Sequence, residues 1–249
     1  MKEITFNISN VNAVKVAFTK FLKKFNFFDK SILLQIDNGL ISAKMTNVEQ
    51  SVVKSADEVV EEFTTNLDKP IFLPLMISEK IIRSLEFFTD AIQMKIVYDV
   101  IDNRNVALAI IFESDSLKLD LPCTKITFFQ TSIKVNSEVF KSISEISTSQ
   151  YNIELSTEDI NQIKNLATMT DSDTLMFKSN TDGVFFTNKN KNFNYKISDI
   201  SAIDKEYKFL KNNIKVLDGD DYDLYMKESS IVLKSKNDNS IVIIAEALS

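Results

Sequence analysis

Two stretches of the chain follow one plan. Residues 31–41 (Ser-Ile-Leu-Leu-Gln-Ile-Asp-Asn-Gly-Leu-Ile) and 173–185 (Asp-Thr-Leu-Met-Phe-Lys-Ser-Asn-Thr-Asp-Gly-Val-Phe) each read as an apolar strand, a polar turn ending in glycine and a second apolar strand. Glycine behind Asn or Asp supplies the positive φ of a tight turn, so both stretches predict antiparallel hairpins. Each follows a segment of helical period. In residues 11–25, Val14, Phe18, Phe21, Leu22 and Phe25 share one helix face, with Asn10 placed to cap it. In 157–168, Ile160, Ile163 and Ala167 face inward behind a Ser156 or Thr157 cap and an acidic first turn of Glu158 and Asp159. Two further helices are predicted. One spans 78–89, opened by Ser78 with an Ile81, Leu85 and Phe88 stripe, and Pro70 and Pro74 lie upstream of it; the other spans 204–216, with a Tyr207, Leu210 and Ile214 stripe stopping before Gly219.

Strand signals fill the intervals, at 4–8, 32–36, 40–45, 92–100 and 106–112 in the first half and at 175–177, 184–187, 193–197, 223–226, 231–233 and 241–245 in the second. A helix followed by antiparallel strands therefore recurs four times. The economical reading is an α+β fold of two similar domains, each with antiparallel sheets and two helices. The domains fall at 1–121 and 151–249, joined by a connector at 122–150. Within its 136–147 stretch, Val139, Phe140, Ile143 and Ile146 stand at helical spacing, which fits either an extra helix or a regular helix of the second domain.

Composition narrows the chemistry. The 249 residues include no histidine, one cysteine (Cys123) and three glycines (Gly39, Gly183 and Gly219). Histidine-based triads, Cys/His pairs and zinc sites cannot be built, and neither a Walker A loop nor a Gly-x-Gly-x-x-Gly turn is possible. No metal or cofactor is implied, and binding is a better expectation than catalysis. An apolar content of 44% suffices for an ordinary core, without a run near the ~18 uncharged apolar residues of a membrane span. Residues 1–9 carry no secretory pattern and the lone cysteine has no intrachain partner, so a reducing cytoplasm is expected, the host's if the chain is viral.

Charge is unevenly placed. The four predicted helices hold Lys15, Lys20, Lys23, Lys24, Lys80, Arg83, Lys164, Lys205, Lys208, Lys211 and Lys215 against six acids, a balance of +5, while the remainder carries −11. Lys20 and Lys23, Arg83, and Lys205, Lys208 and Lys215 project away from the apolar stripes of their helices. One such face alone is the usual solvated side of an amphipathic helix. Several brought to one surface make a lysine-lined patch that meets phosphates without reading base sequence, and the acidic remainder discourages nucleic acid elsewhere.

Three stretches carry a resemblance: Glu154-Leu-Ser-Thr-Glu-Asp-Ile-Asn-Gln-Ile, Phe209-Leu-Lys-Asn-Asn-Ile-Lys-Val-Leu-Asp-Gly-Asp-Asp-Tyr-Asp-Leu and the terminal Ser240-Ile-Val-Ile-Ile-Ala-Glu-Ala-Leu-Ser. With the domain pattern, they resemble the DNA polymerase sliding clamps of the proliferating cell nuclear antigen type, and within it those of tailed bacteriophages. The resemblance implies a non-enzymatic homotrimeric ring with basic helices around the hole, encircling duplex DNA without sequence preference and serving a replicative polymerase and a clamp loader. It implies a peptide-binding site near Ile126, Phe128, Phe129, Ile244, Ala245 and Leu248; if Phe128 and Phe129 occupy adjacent strand positions, one of them is core. By position in the repeat, the subunit edges are Ser116, Leu117, Leu119 and Leu121 on one side and Phe193, Tyr195 and Ile197 on the other. The third helix departs from the family in offering only Lys164. Two other readings stay open: a monomeric DNA-binding replication accessory, and a structural or virion assembly protein that does not bind DNA.

Overall fold

A computed structural model describes residues 1–28, 31–64, 67–76, 79–134, 140, 144–145, 152–200 and 204–247, without the side chains of 79–82 and 152. The chain forms two compact units, Met1–Met45 with Ser55–Lys134 and Thr46–Lys54 with Val135–Ser249. Among the described residues no helix is long and apolar enough to cross a membrane.

The first unit runs β1 (Lys2–Ile8), α1 (Val11–Lys24), β2 (Ser31–Asp37), β3 (Leu40–Thr46), β4 (Val52–Val59), β5 (Ile71–Met76), α2 (Glu79–Glu86), β6 (Ile92–Ile101), β7 (Arg104–Glu113) and β8 (Lys118–Pro122), with Thr46 of β3 and the first three residues of β4 counted in the second unit. Its strands lie in the orders β1-β6-β7-β8 and β5-β2-β3-β4, joined by two parallel pairs, Ile71 with Asn105 and Phe72 with Val106. Asn10 caps α1 as predicted, its side chain accepting from Ala13 N–H at 3.0 Å. The stripe of that helix is buried, and Phe18 meets Phe63 edge-on at 6.2 Å while Phe63 meets Phe6 at 5.5 Å. Leu85 and Phe88 of the second stripe are buried, whereas Ser78 and the side chain of Ile81 lie outside the described residues.

Beyond β8 comes a 3₁₀ turn at Ile126–Phe129 and the short α3 (Gln130–Lys134). Phe128 and Phe129 therefore stand on a tight turn and not on a strand, and they still diverge: Phe128 is 72% exposed and Phe129 2%. In the 136–147 segment, Val139, Ile143 and Ile146 lie outside the described residues.

The second unit runs β9 (Asn152–Leu155), α4 (Thr157–Met169), β10 (Thr174–Asn180), β11 (Gly183–Asn188), β12 (Asn194–Ser198), β13 (Lys205–Leu210), a 3₁₀ turn (Lys211–Val216), β14 (Tyr222–Met226), β15 (Ser230–Ser235) and β16 (Ile241–Ala245). Its orders, β9-β14-β15-β16 and β13-β10-β11-β12, repeat those of the first unit position for position. The internal repeat inferred from the hairpins is thus a repeat of topology. Ser156 caps α4 in a reciprocal box with Asp159, and Ile160, Ile163 and Ala167 are buried. Phe177, Phe186 and Phe209 pack with ring centroids 5.3 to 6.5 Å apart in the core of this unit, Phe209 stacked on the other two.

The predicted fourth helix is absent. Residues 205–210 form β13, paired antiparallel with β10 from Thr174–Leu210 to Ser179–Lys205, and only 211–216 coil, as a 3₁₀ turn. The segment Tyr207-Lys208-Phe209 alternates apolar and polar, and two aromatics two residues apart reach the same core only from a strand. Leu210, taken as part of a buried stripe, is 40% exposed. The turn is anchored at its end by Lys54, whose side chain has no exposed surface and whose ammonium lies 2.8 Å from both the Val216 carbonyl and Asp218 Oδ2. That pairing replaces the hydration a buried charge loses.

The two signature glycines differ in what surrounds them. Asn38 and Gly39 have φ of 42° and 81°, the two left-handed residues of a type I′ turn, and a Cβ on Gly39 meets nothing nearer than Thr64 Oγ1 at 3.5 Å. On Gly183, at φ 125°, a Cβ falls 2.1 Å from the Ser198 carbonyl oxygen on β12. Gly39→Ala is expected to cost about 1–2 kcal/mol, the left-handed penalty. Gly183→Ala costs more, because β12 must also shift. Urea denaturation of the two variants checks the order.

Candidate nucleic-acid interface

In the first unit the predicted bases gather on α1, which carries Lys15, Lys20, Lys23 and Lys24 and no acid. Two of them hold ion pairs: Lys15 lies 3.4 Å from Glu86 on α2, and Lys20 2.7 Å from Glu58 on β4. Lys23 and Arg83 are exposed, Lys24 half-buried, and the Lys80 side chain lies outside the described residues. α2 balances Lys80 and Arg83 with Glu79 and Glu86, so α1 is the strongly basic helix of this unit.

In the second unit the single face predicted for Lys205, Lys208 and Lys215 does not exist, because the first two sit on β13. Three residues apart on a strand, Lys205 and Lys208 point to opposite sides. Lys205 lies 4.7 Å over the Tyr207 ring and 3.6 Å from Glu246, while Lys208 is exposed. What the structure brings together instead is Lys164 of α4 with Lys211 and Lys215 of the 3₁₀ turn, around one cavity. Burial holds the Lys164 ammonium below its usual range, opposed by the charge of Asp218. The start of α4 is acidic: beyond Glu158 and Asp159, Thr157 donates its N–H and hydroxyl to Asp221 at 2.6 and 2.9 Å. The one base of this helix, Lys164, stands in its middle, and its last turn carries none.

The residues expected at subunit edges lie on two sheet margins. Among the described residues β8 pairs as a strand only with β7, and β12 only with β11. Leu119 and Leu121 are half-buried on β8, and Ser116 and Leu117 precede it. Tyr195 and Ile197 are half-buried on β12, and Phe193 precedes it, packed 5.5 Å from Phe186. The exposed positions alternate with these, Lys118 and Asp120 on one strand and Lys196 on the other. Sequence reasoning passed over these charges, although the period-2 outward positions of an edge strand signal them.

Tyr195 ties its edge to α4 by donating its hydroxyl to Asp159 Oδ1 at 2.6 Å. The other oxygen of Asp159 accepts from the Ser156 hydroxyl at 2.6 Å and N–H at 2.9 Å. Burial acts to raise the Asp159 carboxyl, but these three donors outweigh it and hold the group below the usual carboxylate range.

Of the predicted peptide-site residues, Ile126, Phe128 and Phe129 belong to the first unit and Ile244 and Ala245 to the second; Leu248 lies outside the described residues. Ile244 is 1% exposed and packs as core. The donors of the C-terminal segment are occupied within its own unit: Ala245 N–H gives to the Ser51 carbonyl at 2.8 Å, Glu246 N–H to Ser229 at 2.9 Å and Ala247 N–H to Lys208 at 2.7 Å.

No family model and no curated protein matches the sequence. Solved structures do. The chain is similar over its whole length to the A. fulgidus PCNA structure with the bound C-terminal region of FEN-1, at TM-score 0.60 and 10% identity over 99% of that chain. It is similar to the DNA polymerase III subunit beta from Pseudomonas aeruginosa at TM-score 0.60 and 8% identity, spanning 65% of that longer chain. Against the PCNA2-PCNA3 complex from Sulfolobus tokodaii the TM-score is 0.54 at 11% identity, covering 98% of this chain and 99% of that one. The fold is the DNA-clamp fold, α+β with two similar domains.

The Asp159 network has a pH signature. A carboxyl depressed in the folded state stabilises above its unfolded pKa, about 3.9, and loses that contribution as pH falls through the lower folded value. Asp159→Asn is expected to cost about 1 kcal/mol at pH 7, the usual worth of a helix cap. The deficit should shrink below about pH 4, as read from denaturation curves of both proteins across pH.

Proposed function

We propose that the chain is a sliding clamp, a non-enzymatic ring of three copies that encircles duplex DNA and tethers a replicative polymerase, as in the clamps of tailed bacteriophages. One observation carries the reading. The two halves share one strand order, yet their edges differ. In the second unit Ala245 of β16 bonds Ser51, the residue before β4, whereas β8 and β12, the counterparts of β16 and β4, lack such a partner among the described residues. A second copy that set its β12 against β8 would give both strands the kind of partner that β16 finds at Ser51 within the second unit. Such a head-to-tail contact closes into a ring when the rotation fits.

The ring holds DNA by topology and not by tight contact. Lysines on α1 and around the end of α4 meet successive phosphates by interactions weak enough to exchange as the duplex moves, each neutralised phosphate releasing counterions. Phe128, 72% exposed on the turn after β8, is the apolar anchor offered to short peptides of a polymerase or a loader.

Light scattering at micromolar concentration tests the ring directly, with three times the single-chain mass expected. Leu119→Pro, which breaks the β8 edge ladder, should reduce it to one chain with the far-ultraviolet circular dichroism kept. A one-chain mass for the parent protein that still binds duplex favours the monomeric accessory.

Charge reversal tests the DNA face separately. Lys23→Glu with Arg83→Glu changes exposed side chains, so stability should move by less than about 0.5 kcal/mol per site. Fluorescence anisotropy should show weaker duplex binding and a salt dependence of log K shallower by about 0.9 for each phosphate that the variant leaves unneutralised.

A further inference from the structure

Each of the three glycines follows Asn or Asp, in Asn38-Gly39, Asp182-Gly183 and Asp218-Gly219. No side chain crowds a glycine nitrogen, so in such a dipeptide it can attack the carbonyl carbon of the side chain before it. A carboxylate resists that attack where an amide does not, and Asn38 alone of the three offers an amide. Asp218 is further fixed by the buried Lys54 ammonium at 2.8 Å. Asn103 shares the left-handed backbone, at φ 62°, but it precedes Arg104, and its Oδ1 accepts from Lys69 Nζ at 2.7 Å.

The fold decides whether this chemistry runs at Asn38. Asn38 is exposed and Gly39 buried. The Gly39 N–H, which carries the nucleophile, donates to the Phe63 carbonyl at 3.0 Å, and the Gly39 carbonyl accepts from Val60 N–H at 2.7 Å. Phe63 has no exposed surface, and its ring packs edge-on against Phe6 and Phe18. Thr64 closes the same segment by donating its hydroxyl to the Glu61 carbonyl at 2.8 Å. A nitrogen whose proton is committed to Phe63 is not free to turn on Asn38. Freeing it means lifting residues 60–64, and that draws Phe63 away from the core.

We propose that Asn38 is a self-modification site, silent in the folded chain and activated when the 60–64 segment opens. Water is the only co-reactant. The Gly39 nitrogen bonds to Asn38 Cγ, the Cγ–Nδ2 bond breaks, and the side-chain amide takes up the nitrogen's proton and leaves as ammonia, closing a succinimide ring. Water then opens the ring. Addition at Cγ gives aspartate, while addition at the backbone carbonyl gives isoaspartate, whose main chain runs through the side chain and is one carbon longer. Every step is a substitution or a hydrolysis, so no electrons change hands. Asp37 pairs with Leu40 across this two-residue turn, and a lengthened backbone does not keep both that pairing and the bond to Phe63. Conversion therefore makes a transient opening permanent.

The test incubates the full chain in mildly alkaline buffer, folded and in urea, and follows residue 38 by peptide mapping. Mass separates the amide from the acids, and chromatography separates the two acids. In urea Asn38 should convert to aspartate and isoaspartate while Asn103, the internal control, stays an amide. In the folded chain conversion should be slower by at least about tenfold, the factor for one hydrogen bond that must open first. Thr64→Val, similar in shape but without the bond to Glu61, should raise the folded rate about two- to tenfold and leave the rate in urea unchanged. Gly39→Ala should suppress conversion in urea, where the fold plays no part. No conversion of Asn38 in urea overturns the site. Equal rates in the folded chain and in urea overturn the gating, and so does a folded Thr64→Val chain that matches the parent. Should Thr64→Val fail to fold, native-state hydrogen exchange in the parent decides: a protected Gly39 N–H supports the gating, and one that exchanges like an exposed amide overturns it.

Discussion

Edge strands carry rows of N–H and C=O groups that demand partners, and this demand organises the molecule. Both halves end one sheet alike, at β1 and at β9, so those margins say nothing beyond the repeat. The informative margins are those where the halves disagree, β8 against β16 and β12 against β4. Both also carry marks of a managed edge. β8 ends in Pro122 and presents Lys118 and Asp120, while on β12 Lys196 lies 5.8 Å over Phe185 and 2.5 Å from Asp199. Charges of both signs discourage indiscriminate strand addition, and they leave pairing open to a strand whose charges match.

Much of this was legible in the sequence because local chemistry and tertiary need agreed. Asn38-Gly39 sits in the left-handed turn that its residue types predict, Asn10 and Ser156 cap where caps were expected, and the stripes of α1 and α4 are the buried ones. The failure at 204–216 has a physical origin. Apolar residues at 207, 210 and 214 fit a helix, while those at 207 and 209 fit a strand, and a short window contains both periods. Pairing along the whole of β10 decides between them, and that partner lies some thirty residues earlier in the chain.

The same failure hid the basic cluster. A helix would have lined up Lys205, Lys208 and Lys215. The strand instead sends Lys205 onto Tyr207 and Glu246, and the short turn sends Lys211 and Lys215 towards α4. Lys164, which looked too isolated to make its helix a nucleic-acid element, acquires its company only in three dimensions. Sequence spacing identified the right residue types here and grouped them wrongly, because grouping is a property of pairing.

Electrostatics in the two units then divide into two kinds. On α1, Lys15 and Lys20 are tied to Glu86 and Glu58, so a passing phosphate must compete with carboxylates at 3.4 and 2.7 Å. The lysines of the α4 seam line a cavity whose own residues include no carboxylate. Twenty-seven lysines against two arginines favour this division throughout, because ammonium groups bind phosphate as point charges without the paired geometry of a guanidinium.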